Sequence, residues 1–140
     1  EAKYHIEYVE WEDLFKRSDV LSVHIPIKPE TEKIIGAKEF ALMKPDAFFI
    51  NTARGKLVDQ PALIDALKNH RLGGAGLDVM YEEPLPADDL LHALHEDLSY
   101  DVTLTSHSAW QGPWTWVRDS QEIWFNVLRS LRGEPLEWLV

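Results

Sequence analysis

The 140-residue sequence predicts an α/β fold, a doubly wound parallel sheet covered by helices on both faces. Three observations predict it. Apolar runs at residues 19–25, 47–50, 75–79 and 102–105 have the length and bulk of buried strands. Helix-patterned stretches separate them, as a parallel sheet requires. Each run then ends in a group able to bind or titrate: His24, Asn51 to Arg54, Asp78 and His107. In such sheets the ligand sits beyond the carboxyl ends of the strands, so endings in register point to one shared crevice.

The elements follow in order. His5-Ile6-Glu7-Tyr8-Val9 alternates like a short strand, and residues 11–17 read as a brief helix. The run at 19–25 is closed by Pro26 and Pro29, and Ile34, Ile35, Phe40, Leu42 and Met43 pattern a turn and a helix over 31–44. Pro45-Asp46 breaks that helix before the bulky run Ala47-Phe48-Phe49-Ile50. An amphipathic helix from Pro61 to about His70 carries Leu63, Ile64, Ala66 and Leu67, and Gly73-Gly74 is expected to end it. Ala75 to Val79 is the next strand, followed by an acidic, proline-rich segment and a short helix over 88–95. After Ser106-His107 and Gly112-Pro113, a long helix is expected over 114–132, stopped by Gly133 and Pro135.

Composition bounds the function. The net charge of −10 argues against nucleic acid, whose phosphates require a basic surface. With no cysteine there is no disulfide framework or thiolate metal site, and a reducing, cytoplasmic setting is the default expectation. No apolar run reaches the length of a membrane span, and no leader pattern is seen. The first residue is Glu1 and not Met, which suggests a processed chain or a piece of a longer one. His92 and His95 stand three apart on a helix, but no third ligand of suitable spacing accompanies them, so no metal is expected. Trp110, Trp114, Trp116, Trp124 and Trp138 sit on or beside the last helix and are read as packing residues, in the core or across a subunit interface.

Arg54, Glu83 and His107 form the expected catalytic set. An arginine at a strand end, beside a glycine that lets backbone come close, suits a carboxylate or phosphate; the same pattern also fits a surface charge on a loop. A histidine at a strand end is a candidate general acid, or a core histidine satisfied by backbone. A carboxylate on its ring would fix the tautomer, whereas Glu82-Glu83 taken alone reads as a solvated acidic turn. Together the three make a proton-delivery site for reducing a 2-oxo acid.

The motifs are similar to a known family. Asn51-Thr52-Ala53-Arg54-Gly55-Lys56-Leu57-Val58-Asp59, Gly74-Ala75-Gly76-Leu77-Asp78-Val79, Tyr81-Glu82-Glu83-Pro84-Leu85-Pro86 and Thr105-Ser106-His107-Ser108-Ala109-Trp110 resemble the D-isomer-specific 2-hydroxyacid dehydrogenases. Ser18-Asp19-Val20, His24-Ile25-Pro26 and Pro29-Glu30-Thr31 resemble earlier landmarks of that family. The resemblance implies a Rossmann-like fold and reversible reduction of a 2-oxo acid to a D-2-hydroxy acid with NAD or NADP as coenzyme. It implies that Arg54 binds the substrate carboxylate and carbonyl, that His107 delivers the proton, and that Glu83 pairs with His107 and raises its pKa. Ile25, Thr52, Ala53, Arg54, Asp78, His107 and Trp110 match positions bordering the coenzyme. Trp110 after Ser108-Ala109 resembles the glycerate dehydrogenase and hydroxypyruvate reductase members, and a homodimer is implied.

The sequence also departs from the family. No G-x-G-x-x-G turn joins a strand to a helix, and Gly73-Gly74-Ala75-Gly76 leads into a strand instead of leaving one. Residues 1–140 therefore read as the C-terminal portion of a NAD(P)-binding domain, lacking the first strand–helix unit and the substrate domain. Alone they are expected to be inactive, and their sheet to need the missing half or a second chain. The other readings are a coenzyme-sensing binding protein related to the family's transcriptional corepressors, and an inactive fragment that dimerises through the Trp-rich helix.

Overall fold

The computed structural model describes residues 6–109, 112 and 115–135; of residues 116–119 and 122 it describes the backbone alone. The chain divides into two compact units, residues 1–107 and 108–140.

The first unit is built on four parallel strands, β1 (Val20–Val23), β2 (Phe48–Asn51), β3 (Gly74–Leu77) and β4 (Asp101–Leu104), in the order β1-β2-β3-β4. The registers Val20 with Phe48, Phe48 with Gly74 and Gly74 with Asp101 bring all four carboxyl ends to one rim. The connections carry helices α1 (Trp11–Arg17, before β1), α2 (Ala37–Leu42), α3 (Gln60–Lys68) and α4 (Leu90–Glu96), with 3-10 turns at Pro29–Thr31 and Gly55–Leu57.

Local chemistry sets the helix ends. Glu39 reaches back to the Gly36 amide at 3.0 Å to start α2. Pro61 stands in the first turn of α3, where a missing N–H costs nothing. Asp89 caps α4 by accepting the Leu91 amide at 2.9 Å. The end of α3 differs from expectation. His70, at φ 48°, takes the left-handed position, with the His70 amide donating to Leu67 and the Arg71 amide to Ala66. Gly73 and Gly74 do not terminate the helix. A Cβ on Gly73 would lie 2.5 Å from the Asp46 carbonyl, and one on Gly74 would lie 2.3 Å from the Asp101 carbonyl, so they allow close strand approach.

The core lies on one face of the sheet. Leu21, Val23, Phe49, Ala75, Leu77 and Val102 are buried there with Phe15, Phe40, Leu57, Leu63 and Leu91. Phe40 and Phe49 meet edge to face at 5.2 Å between centroids. On the opposite face Val20 is 61% and Phe48 37% exposed. Within the first unit, the described helices pack on that core face. The strand order never reverses, so the right-handed crossovers place α2, α3 and α4 on the same side. The expected first strand is absent: residues 6–10 join no sheet, and Glu7 instead accepts both guanidinium nitrogens of Arg17.

The second unit holds α5 (Thr115–Arg132), which ends where expected. Gly133, at φ 69°, follows it, and the Gly133 and Glu134 amides donate to Ser130 and Arg129. Ile123, Trp124, Phe125 and Leu131 on this helix are more than half exposed. Trp110, Trp114 and Trp138 lie outside the described residues, as does the side chain of Trp116. No helix is long and apolar enough to cross a membrane among the described residues.

Candidate active site

The carboxyl-end rim is assembled mainly by polar contacts with backbone. Asn51, at the end of β2, is 1% exposed. Its amide oxygen accepts the Ala53 N–H and its NH2 donates to the Arg54 carbonyl, both at 3.0 Å, which folds residues 51–54 into a fixed turn. Arg54 leaves that turn exposed, with Nη1 donating to the Ala53 carbonyl at 2.6 Å. Gly55 follows because nothing larger fits: a Cβ there would lie 1.8 Å from the Met80 carbonyl oxygen. The arginine turn is therefore seated directly on the chain leaving β3.

Asp78, just after β3, is 4% exposed. The Thr105 hydroxyl donates to its carboxylate, the Asp78 amide donates to the Asn51 carbonyl at 3.0 Å, and the His107 amide donates to the Asp78 carbonyl at 2.8 Å. The ends of β2, β3 and β4 are stitched together by these bonds. His107 has φ 53°, which a non-glycine residue adopts only where its surroundings impose it.

Glu83 lies on the loop after Asp78. One carboxylate oxygen accepts the Met80 amide at 3.0 Å and the other meets His107 Nδ1 at 2.8 Å. Burial pushes the Glu83 pKa up, but the His107 hydrogen bond, the Met80 amide and the charges of His107 and Arg54 outweigh it, holding Glu83 below the usual glutamate value. A cavity of about 380 Å³ is lined by Arg54, Gly55 and Lys56 from the arginine turn, by Met80, Tyr81, Glu82 and Glu83 from the loop after β3, and by Ile27.

The expected residues distribute as follows. Arg54 and Glu83 share this cavity, and His107 is bonded to Glu83. Asp78 supports the His107 backbone, and Ala53 belongs to the arginine turn. Thr52 is exposed on that turn, and Ile25 is half-buried against the core just after β1. Trp110 lies outside the described residues. His24 pairs with the Ser22 hydroxyl at 2.8 Å on the exposed sheet face. His95 Nδ1 meets the Val102 carbonyl at 2.8 Å, and no group of three His, Cys, Asp or Glu placed to hold a metal exists among the described residues.

Sequence reasoning did not single out Asn51 as a brace, Tyr81, or Gln60. The Tyr81 hydroxyl donates to Glu32 at 3.2 Å and its ring carries Lys33 Nζ at 5.0 Å. The one local signal was the Asn51-to-Arg54 spacing, which suits an Asx-type turn.

A parallel sheet whose strand ends carry an arginine turn and a paired His–Glu is the architecture of a dehydrogenase nucleotide domain. Residues 1–109 match the family model "D-isomer specific 2-hydroxyacid dehydrogenase, NAD binding domain", and the chain belongs to that family. It is 45% identical over 112 residues to the glyoxylate reductase of Thermococcus litoralis, covering 80% of this chain and 34% of that protein. It is 38% identical over 127 residues to the glycerate dehydrogenase of Methylorubrum extorquens, covering 91% of this chain and 40% of that one. The NAD-complexed D-isomer-specific 2-hydroxyacid dehydrogenase of Lactobacillus delbrueckii ssp. bulgaricus superposes with a TM-score of 0.86 at 30% identity, covering 99% of this chain and 44% of that one. The chain thus spans well under half the length of these relatives.

Proposed function

We propose that these residues are the C-terminal part of the NAD(P)-binding domain of an oxidoreductase that interconverts a 2-oxo acid and a D-2-hydroxy acid. Glyoxylate is the favoured substrate from the name of the Thermococcus relative, with hydroxypyruvate from the resemblance around Trp110. The observation that carries the reading is the 2.8 Å contact between His107 Nδ1 and Glu83. With Nδ1 engaged, the proton passes between Nε2 and the substrate oxygen at C2, and the ionised Glu83 stabilises the charged ring. Arg54 lines the cavity that Glu83 also lines, and its guanidinium binds the substrate carboxylate as a planar fork.

When bound, a nicotinamide would supply or accept the hydride at C2. The residues fit the nicotinamide end of such a coenzyme: buried Asp78 and exposed Thr52 stand at adjacent strand ends. The 140 residues contain no G-x-G-x-x-G turn, so we assign the pyrophosphate to residues beyond them, and expect these residues alone neither to bind coenzyme normally nor to turn over.

The test assays the full-length protein for oxidation of NADH and NADPH with glyoxylate, hydroxypyruvate and pyruvate. His107→Gln should lower kcat by roughly 10²–10⁴-fold while coenzyme affinity is kept. Arg54→Ala should raise KM for the 2-oxo acid. A His107→Gln protein that retains its rate would falsify the assigned proton donor.

A further inference from the structure

Glu83 sits on an exposed loop with no helix or strand of its own, between β3 and α4. The His107 contact needs that loop held to within a few tenths of an ångström. Its two ends are gripped by one side chain. Gln60, the first residue of α3, accepts the Tyr81 N–H on Oε1 at 3.2 Å and donates from Nε2 to Asp89 Oδ2 at 2.7 Å. Tyr81 opens the segment that carries Glu83, and Asp89 closes it as the cap of α4. All three residues are half-buried.

The chemistry at this point admits few side chains. A backbone N–H can only donate and a carboxylate can only accept, so the clamp must accept on one atom and donate from another. A primary amide does both, whereas a carboxylate would repel Asp89 and an ammonium would leave Tyr81 unmet. Gln60 also follows closely on the Arg54 turn, and Gly55 touches the same Met80–Tyr81 backbone. Arg54 and the grip on the Glu83 loop therefore ride on one short stretch of chain.

We propose that Gln60 is a positioning residue that sets the Glu83–His107 geometry by closing the residue 81–89 loop, an inference that rests on the catalytic reading above. Gln60→Met keeps the volume and helix preference and removes both bonds. In the full-length protein this change should lower kcat about tenfold, the scale expected when a catalytic group is displaced by a fraction of an ångström, with coenzyme affinity unchanged. In a Glu83→Gln background the same change should add almost nothing, because Gln60 acts through Glu83. The paired change Gln60→Glu with Asp89→Asn rebuilds the bond with donor and acceptor exchanged, and keeps a capping residue on α4. It should restore most of the rate that Gln60→Glu alone loses.

A second measurement does not depend on turnover. The ¹³C titration of the Glu83 carboxyl should move toward the ordinary glutamate midpoint in Gln60→Met and return in the paired variant. An unmoved titration, an equal loss in both backgrounds, or failure of the folded paired variant to recover would overturn the role of Gln60. If Glu83→Gln itself retains the rate, the catalytic role given to Glu83 fails, and the titration still decides whether Gln60 positions Glu83.

Discussion

The two rims of the sheet carry similar side chains and use them differently. At the amino-end rim the charges pair at the surface: half-buried Lys44 with exposed Asp19 at 2.6 Å, and Arg71 with Asp65, both exposed. At the carboxyl-end rim two polar side chains are taken out of water and held by backbone and neighbouring groups, beneath the exposed Arg54 and Glu83. The buried polar side chains among the described residues, Asn51 and Asp78, both stand there. Surface pairs exchange one hydrated state for another and contribute little. A desolvated amide or carboxylate is tolerated only with its partners in place, so it fixes geometry. Precision in this molecule is concentrated at the rim where four strand ends converge.

The sharpest break of that contrast is Gly55→Ala. The added methyl would lie 1.8 Å from the Met80 carbonyl oxygen and 2.6 Å from the Tyr81 nitrogen, both backbone atoms that cannot swing away. The arginine turn and the Glu83 loop must part. The expected cost is about 3 kcal/mol in urea unfolding, at the upper end for overpacking, together with loss of nearly all activity in the full-length protein. A fully stable, active Gly55→Ala protein would show that the two segments are not mutually seated.

The next comparison sets one residue from each rim side by side. Asn51→Ala leaves the Ala53 N–H and the Arg54 carbonyl without their side-chain partner, and should cost about 1–3 kcal/mol. Lys44→Ala removes a shorter contact, but one to an exposed carboxylate that water screens, and should cost under about 1 kcal/mol. Equal costs by chemical denaturation would erase the distinction between the rims.

Much of this was legible in the sequence, for local reasons. Bulky runs such as Phe48 to Ile50 reveal strands because side-chain period and bulk are properties of neighbours along the chain. Arg54, Glu83 and His107 stood out because each lies in a short motif of distinctive composition. What the sequence hid depends on contacts between distant residues. Gln60 reaches Asp89 across 29 positions, and nothing in either local sequence announces it. The placing of the first unit's helices on one face follows from a strand order that no single segment encodes. The alternation of residues 5–9 had the period of a strand, yet residues 6–10 meet no ladder. Gly73 and Gly74 read as helix stops from their type, but the left-handed position went to His70 and their space went to neighbouring strands.

The smallest effect concerns acid. Glu83 is held below the usual glutamate value against the opposing pull of burial, by the His107 hydrogen bond, the Met80 amide and nearby positive charge. A carboxylate depressed in the folded state adds stability that is present above its unfolded pKa, about 4.3, and is lost as pH falls through the lower folded value. Wild type should therefore exceed Glu83→Gln in unfolding midpoint at weakly acidic pH, and the gap should close as pH drops below that range. The gap is small because the Glu83 side chain is 36% exposed, so solvent screens the pair. Urea titrations of both proteins across the acid range would read it. A gap that widens toward acid would mean that Glu83 is held in its neutral form, and would remove the carboxylate from its place beside His107.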